Sequence, residues 1–304
     1  KPRYDNAISA LINGFLDMFS RKEPIGELSE SDRIDGKVCL ITGANSGLGK
    51  AAAVELARRG GRIIMACRSG IPEAGEEVKR LSGSGDVEMI HLDLSDFNSI
   101  KECCAELRSR GVTIDRAVLN AGVVPKEARR TAQGFEEMFG VNYLGNFMLV
   151  TTLLADGTIP NRKWAGYDSR SKEDSPLQRR STNREHPSNR IVQEDGTHHN
   201  DLRHRSALEH QITDELKTSG RPRIIFVSSE THRSAQPPDI ESLGSFEDYT
   251  IGKSLARYGQ IKLLLQTFAA ELTRRFSDAD RIDVAVHSLC PGPVNTRIAR
   301  EASK

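Results

Sequence analysis

The sequence is short of several things, and each shortage closes off a class of protein. Net charge is almost absent: 43 Lys and Arg face 42 Asp and Glu, a formal +1. A dedicated nucleic-acid binder carries a basic excess or a basic stripe interleaved with aromatics, and aromatics are only 5% here. No run of about 18 consecutive apolar residues occurs, so no segment reads as a membrane-spanning helix. The five cysteines, Cys39, Cys67, Cys103, Cys104 and Cys290, are odd in number and lack C-x-x-C spacing, which argues against a disulfide framework. They read as buried free thiols of a reducing compartment. An initiator Met is missing too, and a chain that starts at Lys1 reads as a processed or trimmed product, with a removed leader left open.

What is present is 304 residues, enough for one large domain or two small ones. The apolar share of 37% and the mean hydropathy of −0.47 are low for a folded chain of this size. One segment accounts for much of that. Between Leu154 and about Glu209 the chain is dominated by Arg, Ser, Asp, Asn and His without a sustained period, and such a composition cannot bury enough apolar surface to offset ordering. Residues from about 155 to 209 therefore read as a polar, disordered excursion. His186, His198, His199, His204 and His210 fall in or beside it and read as part of a solvated tract, so no metal site is expected.

At the other end, Ile8, Leu11, Ile12, Phe15, Leu16 and Phe19 fall on one face of a helix over residues 5 to 19. Its opposite face carries Asn6, Asn13 and Asp17 rather than a row of lysines. That favours packing on the rest of the protein or on a partner over a place in a membrane interface, although Arg21 and Lys22 keep peripheral membrane contact open. Residues 1 to 35 form an extension.

From residue 37 the rhythm changes. Short β-branched runs, Val38–Thr42, Arg62–Cys67, Val87–Leu92, Ala117–Asn120, Arg223–Val227 and Asp283–His287, alternate with helical patterns near 47 to 60, 72 to 82, 96 to 110, 134 to 154, 206 to 219 and 258 to 276. Nearly continuous apolar strands separated by helices predict a parallel sheet covered on both faces. Residues 36 to 304 thus read as a single α/β domain, a Rossmann-type doubly wound sheet with helices on both sides.

The first strand runs into Thr42-Gly-Ala-Asn-Ser-Gly-Leu-Gly49, a glycine-rich turn that opens a helix. Glycines let a backbone approach a pyrophosphate, and the helix N-terminus offers unpaired N–H groups to it. This turn, then Ala66-Cys-Arg68, Phe139-Gly-Val-Asn-Tyr-Leu-Gly145 and Pro291-Gly-Pro-Val-Asn-Thr296, resembles the short-chain dehydrogenase/reductase family, with wording similar to its retinol-dehydrogenase-like members. The resemblance covers about residues 36 to 154 and 212 to 298. The chain ends before the last helix and strand of that family, and the polar excursion interrupts the helix that in many relatives helps form a dimer, which leaves a homo-oligomer open.

The resemblance implies a nicotinamide dinucleotide held by Gly43, Asn45, Ser46, Gly47, Leu48 and Gly49, by Asp93 and Leu94 after the third strand, by Asn120, Ala121 and Gly122 after the fourth, and by Pro291, Gly292, Val294 and Thr296 after the sixth. Arg68 stands where NAD enzymes carry an acid. An arginine there pairs with a ribose 2′-phosphate, and with Lys50 nearby this predicts NADP(H) in preference to NAD(H). The family's catalytic positions fall on Asn142, whose counterpart holds a water in the proton relay, on Ser229, with Ser228 as the fallback, and on a Tyr-x-x-x-Lys pair.

That pair occurs twice, as Tyr249 with Lys253 and as Tyr258 with Lys262. The chemistry needs both side chains on one helix face, so that the ammonium can lower the phenol pKa. Tyr258 opens the stronger helical pattern, whereas Tyr249 precedes Gly252, so Tyr258 and Lys262 are the expected catalytic and ribose-binding pair. Together these positions imply NADP(H)-dependent interconversion of a carbonyl and an alcohol. The small-molecule substrate is lipid-like or xenobiotic, nucleic acid is not a partner, and the setting is intracellular, cytoplasmic or peripheral on an intracellular membrane. Two rivals stand beside this: a cofactor-binding scaffold of the same fold, and a lipid carbonyl reductase anchored by residues 5 to 19.

Overall fold

The computed structural model describes residues 28–162, 164, 220–278 and 281–292. The N-terminal helical pattern, the histidine-rich tract, the pattern near 206 to 219, Val294 and Thr296 lie outside the described residues. The strands are β1 (Val38–Thr42), β2 (Arg62–Cys67), β3 (Val87–His91), β4 (Arg116–Leu119), β5 (Arg223–Val227) and β6 (Ala285–Leu289). These six pair in parallel, in the order β3-β2-β1-β4-β5-β6, and a separate short antiparallel pair joins Ser277–Asp278 to Arg281–Ile282. Strand order reverses between β1 and β4, and in open sheets of this kind ligands bind beyond the carboxyl ends at that crevice.

The helices are α1 (Gly47–Arg58), α2 (Glu73–Ser82), α3 (Phe97–Ser109), α4 (Glu137–Ala155) and α5 (Ile251–Phe276). Alternating strand residues divide the core between the two faces of the sheet. Cys39, Ile41, Ile63 and Met65 pack with Ala53, Ala57 and Val78 under α1 and α2. Leu40, Ile64, Ile224 and Phe226 pack with Ile100, Leu149, Leu153, Leu265 and Leu272 under α3, α4 and α5. The central cysteines, Cys39, Cys67, Cys103 and Cys104, are free and buried, and Cys290 is free and half-buried. Helix α4 is apolar and long enough to cross a membrane, but most of it is buried against this core.

Besides shifts of one to three residues at β3, β4 and the ends of α1 to α4, three departures from the sequence expectation have a visible cause. Helix α5 begins at Ile251 rather than 258, because Ser254 donates to the Pro125 carbonyl at 2.7 Å and the turn before it is anchored by Tyr249. The sixth strand runs over Ala285–Leu289 rather than 283 to 287, since Asp283 is held back: its N–H donates to the Phe276 carbonyl and its carboxylate accepts from Arg162 at 2.6 and 3.2 Å. Residues 156 to 162, which the composition assigns to the polar excursion, are packed. Asn161 is buried and donates to the carbonyls of Leu154 and Ile159, and the Ile114 N–H donates to Thr158.

Candidate active site

The glycine-rich turn links the end of β1 to α1. Gly47 has φ +56°, in the left-handed region, and at Gly49 a Cβ would come within 2.5 Å of the Asn120 amide nitrogen. Asn120 locks the end of β4 to this turn, donating from Nδ2 to the carbonyls of Thr42 (3.0 Å) and Gly43 (3.3 Å), while the N–H groups of Asn120 and Ala121 share the Thr42 hydroxyl. Gly122 continues that strand end beside Val123. Asn45 reaches across to the Ser69 carbonyl at 3.1 Å, which ties the turn to the residue after Arg68.

Ser46 occupies the N-cap of α1 in an extended conformation and makes no side-chain cap bond, and no acid stands in the first turn. Gly47, half-buried Leu48 and Gly49 follow, so the helix start is open to an anionic group. Arg68 is exposed just past β2 and has no ion pair among the described residues. Lys50 is different: its ammonium is paired with Glu77 at 2.8 Å, so the argument rests first on Arg68. Asp93 folds its carboxylate onto the Ser95 N–H and hydroxyl, and Leu94 beside it is buried. Pro291 and Gly292 follow β6 at the same end of the sheet. These residues fit a dinucleotide: the uncapped α1 start would hold its pyrophosphate, and Arg68 is a cation free to meet a phosphate on its ribose.

The reacting end is built from α4, β5 and α5. Asn142 is completely buried inside a π-helical turn, Gly140–Gly145, of a kind that recurs at functional sites. Its Oδ1 accepts from the Val123 N–H at 2.7 Å and its Nδ2 donates to the Val123 carbonyl at 2.8 Å, so it clamps the loop that follows β4. Asn146, one turn on, sends its Nδ2 to the carbonyls of Val141 and Asn142. Ser229 caps the 3₁₀ turn Glu230–Ser234, where its hydroxyl oxygen accepts from the Thr231 hydroxyl at 3.1 Å, and its side chain meets Tyr258. Ser228 is buried with its hydroxyl unpaired.

Tyr258 and Lys262 lie one turn apart on α5, with the ammonium 5.5 Å from the Tyr258 ring centroid. Lys262 is buried and donates to the Val227 carbonyl at 2.8 Å, two residues before Ser229. Burial pulls the Lys262 ammonium down to about 8. Against the lowering expected from the ammonium, burial pushes the Tyr258 phenol up to about 12, with the Cys290 thiol adding to the rise and only Ser229 opposing it. The alternative pair does not converge. Tyr249 precedes the helix with its hydroxyl bonded to Glu136 at 2.8 Å, burial and that carboxylate both raise its pKa, and Lys253 is exposed.

The sequence reading passes over Glu136, Arg257 and Asn146. Glu136 stands at the N-cap of α4, where its carboxylate accepts from the N–H groups of Met138 and Phe139, and an acid immediately before an apolar helical run was the available signal.

A doubly wound sheet with a glycine-rich turn at one strand end and a half-buried tyrosine one turn from a buried lysine beside it is the frame of the short-chain dehydrogenases, and this chain is similar to that family in fold and sequence. The family profile for short chain dehydrogenase matches residues 37–160. In sequence the chain is retinol-dehydrogenase-like. It is 40% identical to human retinol dehydrogenase 14 over 280 residues, 87% of this chain and 64% of that protein. With human retinol dehydrogenase 13 it shares 30% identity over 270 residues, 88% of this chain and 62% of that protein. The chain thus spans a little under two thirds of the length of these curated relatives. A crystal structure of a protein from Mycobacterium paratuberculosis superposes with a TM-score of 0.57 at 25% identity, over 91% of this chain and 76% of that one.

Proposed function

We propose that the protein is an NADP(H)-dependent oxidoreductase that interconverts a carbonyl and an alcohol, with a lipid-like aldehyde or ketone of the retinal type as substrate. The observation that carries the reading is the meeting of Ser229, Tyr258 and Lys262 at the carboxyl end of β5, with the Asn142 clamp on the neighbouring strand end. Bound nicotinamide supplies the hydride for reduction and accepts it in oxidation. Everything else falls to the chain. The hydroxyls of Ser229 and Tyr258 hold the carbonyl oxygen, and Tyr258 donates its proton there during reduction and takes it back during oxidation. The phenolate left behind is costly in a buried place, and the Lys262 ammonium one turn away offsets that cost.

NADP(H) is favoured over NAD(H) by Arg68, a guanidinium without an ion-pair partner among the described residues, at the strand end where a ribose 2′-phosphate would meet it. The retinoid-like substrate is carried by the names of the relatives, so a carbonyl panel decides it.

The test is NADPH oxidation across carbonyls that include all-trans-retinal, with NADH as control. Tyr258→Phe should lower kcat by about 10²- to 10⁴-fold, the usual range for losing a general acid, with NADPH binding kept. An inactive Tyr249→Phe beside an active Tyr258→Phe would transfer the role to the other tyrosine. Equal use of NADH would remove the argument from Arg68.

A further inference from the structure

The second Tyr-x-x-x-Lys element leads to a cluster that the proposed chemistry does not use. The carboxylate of Glu136, wholly buried, accepts four hydrogen bonds. Two come from the backbone of its own helix, Met138 and Phe139. The other two come from elsewhere in the chain: the Tyr249 hydroxyl at 2.8 Å and Arg257 Nε at 3.2 Å. Arg257 also holds Glu247 at 3.2 Å and the Ser245 carbonyl at 3.3 Å, and its guanidinium lies 5.8 Å from the Tyr249 ring centroid. An N-cap needs only the first two bonds. The cross-links to α5 and to the segment before it need another reason.

Their placement supplies one. Glu136 stands six residues before Asn142 on the same helical run, and Arg257 is the residue immediately before Tyr258. We propose that Glu136 and Arg257 are positioning residues, which fix the rotation of α5 about its own axis so that Tyr258 faces the strand end clamped by Asn142. This rests on the oxidoreductase reading above. Side chains on a helix reach about 5–6 Å from its axis, so a turn of about 10° moves such an atom by roughly 1 Å. A misplacement of about 1 Å in a reacting group costs on the order of 100-fold in rate. No other side-chain hydrogen bond among the described residues joins α4, or its cap, to α5. The other buried hydrogen bonds of α5, from Ser254 to the Pro125 carbonyl and from Lys262 to the Val227 carbonyl, tie it to the loop after β4 and to β5. Against α4 the remaining contacts are packing, as of Phe268 with Tyr143 and Phe147, which tolerates small rotations that a paired charge does not.

Stability must be separated from position, because removing Arg257 leaves a buried carboxylate without its partner. The test therefore compares Arg257→Met, which keeps the aliphatic stem, with the double variant Glu136→Gln/Arg257→Met, which also removes the stranded charge, and with Arg257→Lys. Each is measured as full chain with NADPH and all-trans-retinal for kcat, KM, NADPH affinity and Tm. Arg257→Met should lose about 10- to 100-fold in kcat, with NADPH affinity within twofold of wild type and a lowered Tm. The double variant should regain Tm and stay at least 10-fold down in kcat, and Arg257→Lys should recover part of the rate. Recovery of kcat together with Tm in the double variant would show a purely structural pair and overturn the proposal. So would a wild-type kcat in Arg257→Met. A wild-type chain that binds NADPH but reduces no carbonyl, retinal included, removes the oxidoreductase reading and the proposal with it, a result distinct from an active wild type with an indifferent Arg257.

Discussion

Lys262 is the side chain through which pH reaches this fold. Its folded-state value of about 8 lies below the ~10.4 of a free lysine. Between those limits the unfolded chain binds more protons than the folded one, so the burial penalty is fully present below pH about 8 and is relieved as pH rises toward 10. The proposed chemistry runs the other way, because it assigns to the Lys262 ammonium the offset of a phenolate at Tyr258, and that charge is lost over the same interval. Cofactor-free thermal melts of wild type and Lys262→Met should therefore draw together or cross in favour of wild type between pH 7.5 and 9.5, by on the order of 2 kcal/mol. Over that range kcat/KM for NADPH, which reports the free enzyme, should decline. A pH-independent stability difference would place the lysine in a wetter setting than its burial indicates. The Tyr258 and Lys262 pair was legible in the sequence because both residues sit on one turn of one helix. The bond between Tyr249 and Glu136 was not, since the two lie 113 positions apart and only the folded topology brings them together. The partner of Lys50 was hidden for the same reason, Glu77 being on the next helix.

Among the elements, α4 shows most clearly what periodicity reveals and what it hides. Its apolar run marks a helix, but the π turn at Gly140–Gly145 leaves no trace in a 3.6-residue pattern. The turn sets Asn142 against both backbone groups of Val123. Asn142→Ala strands both backbone groups of the half-buried Val123 at once. It should cost about 2–4 kcal/mol by urea titration, and turnover should fall with it because the loop after β4 is released. A cost below about 0.5 kcal/mol would mean that the loop is held by something else. Strands β1, β2 and β5 were readable to the residue, as their neighbours on both sides are glycine or polar turns. Helix α5 was read as starting seven residues late, because Gly252 and Thr250 weaken the local preference that Ser254 and Tyr249 then override through contacts to Pro125 and Glu136.

For the molecule as a whole, one parallel sheet with both faces covered ties the cofactor end to global stability. A ligand at about 100 times its Kd adds ~2.7 kcal/mol to whatever it binds in the folded state alone. NADPH should accordingly raise the Tm by roughly 5–10 °C. Arg68→Asp should abolish most of that rise for NADPH and preserve it for NADH, as read by differential scanning fluorimetry. An equal rise with either dinucleotide in the wild type would count against selection by Arg68. At this scale the alternation of strands and helices made the doubly wound architecture legible. Residues 156 to 162 were misjudged because composition cannot register one buried asparagine and one Arg162–Asp283 bond that hold a polar stretch down. That bond has a further consequence. Arg162 is pinned beside Asp283, and the Ala285 N–H donates to Pro222, so the chain is fastened on both flanks of residues 163 to 219 at the amino ends of the strands, opposite the Tyr258 side. The part up to 162 brings the glycine-rich turn and Asn142, and the part from 220 on brings Ser229, Tyr258 and Lys262. Two stretches of chain thus meet at one candidate site while their ends lie at the far side of the sheet, which makes residues 163 to 219 the place to divide the chain into complementing halves, with the proposed carbonyl reduction as the readout of their reunion.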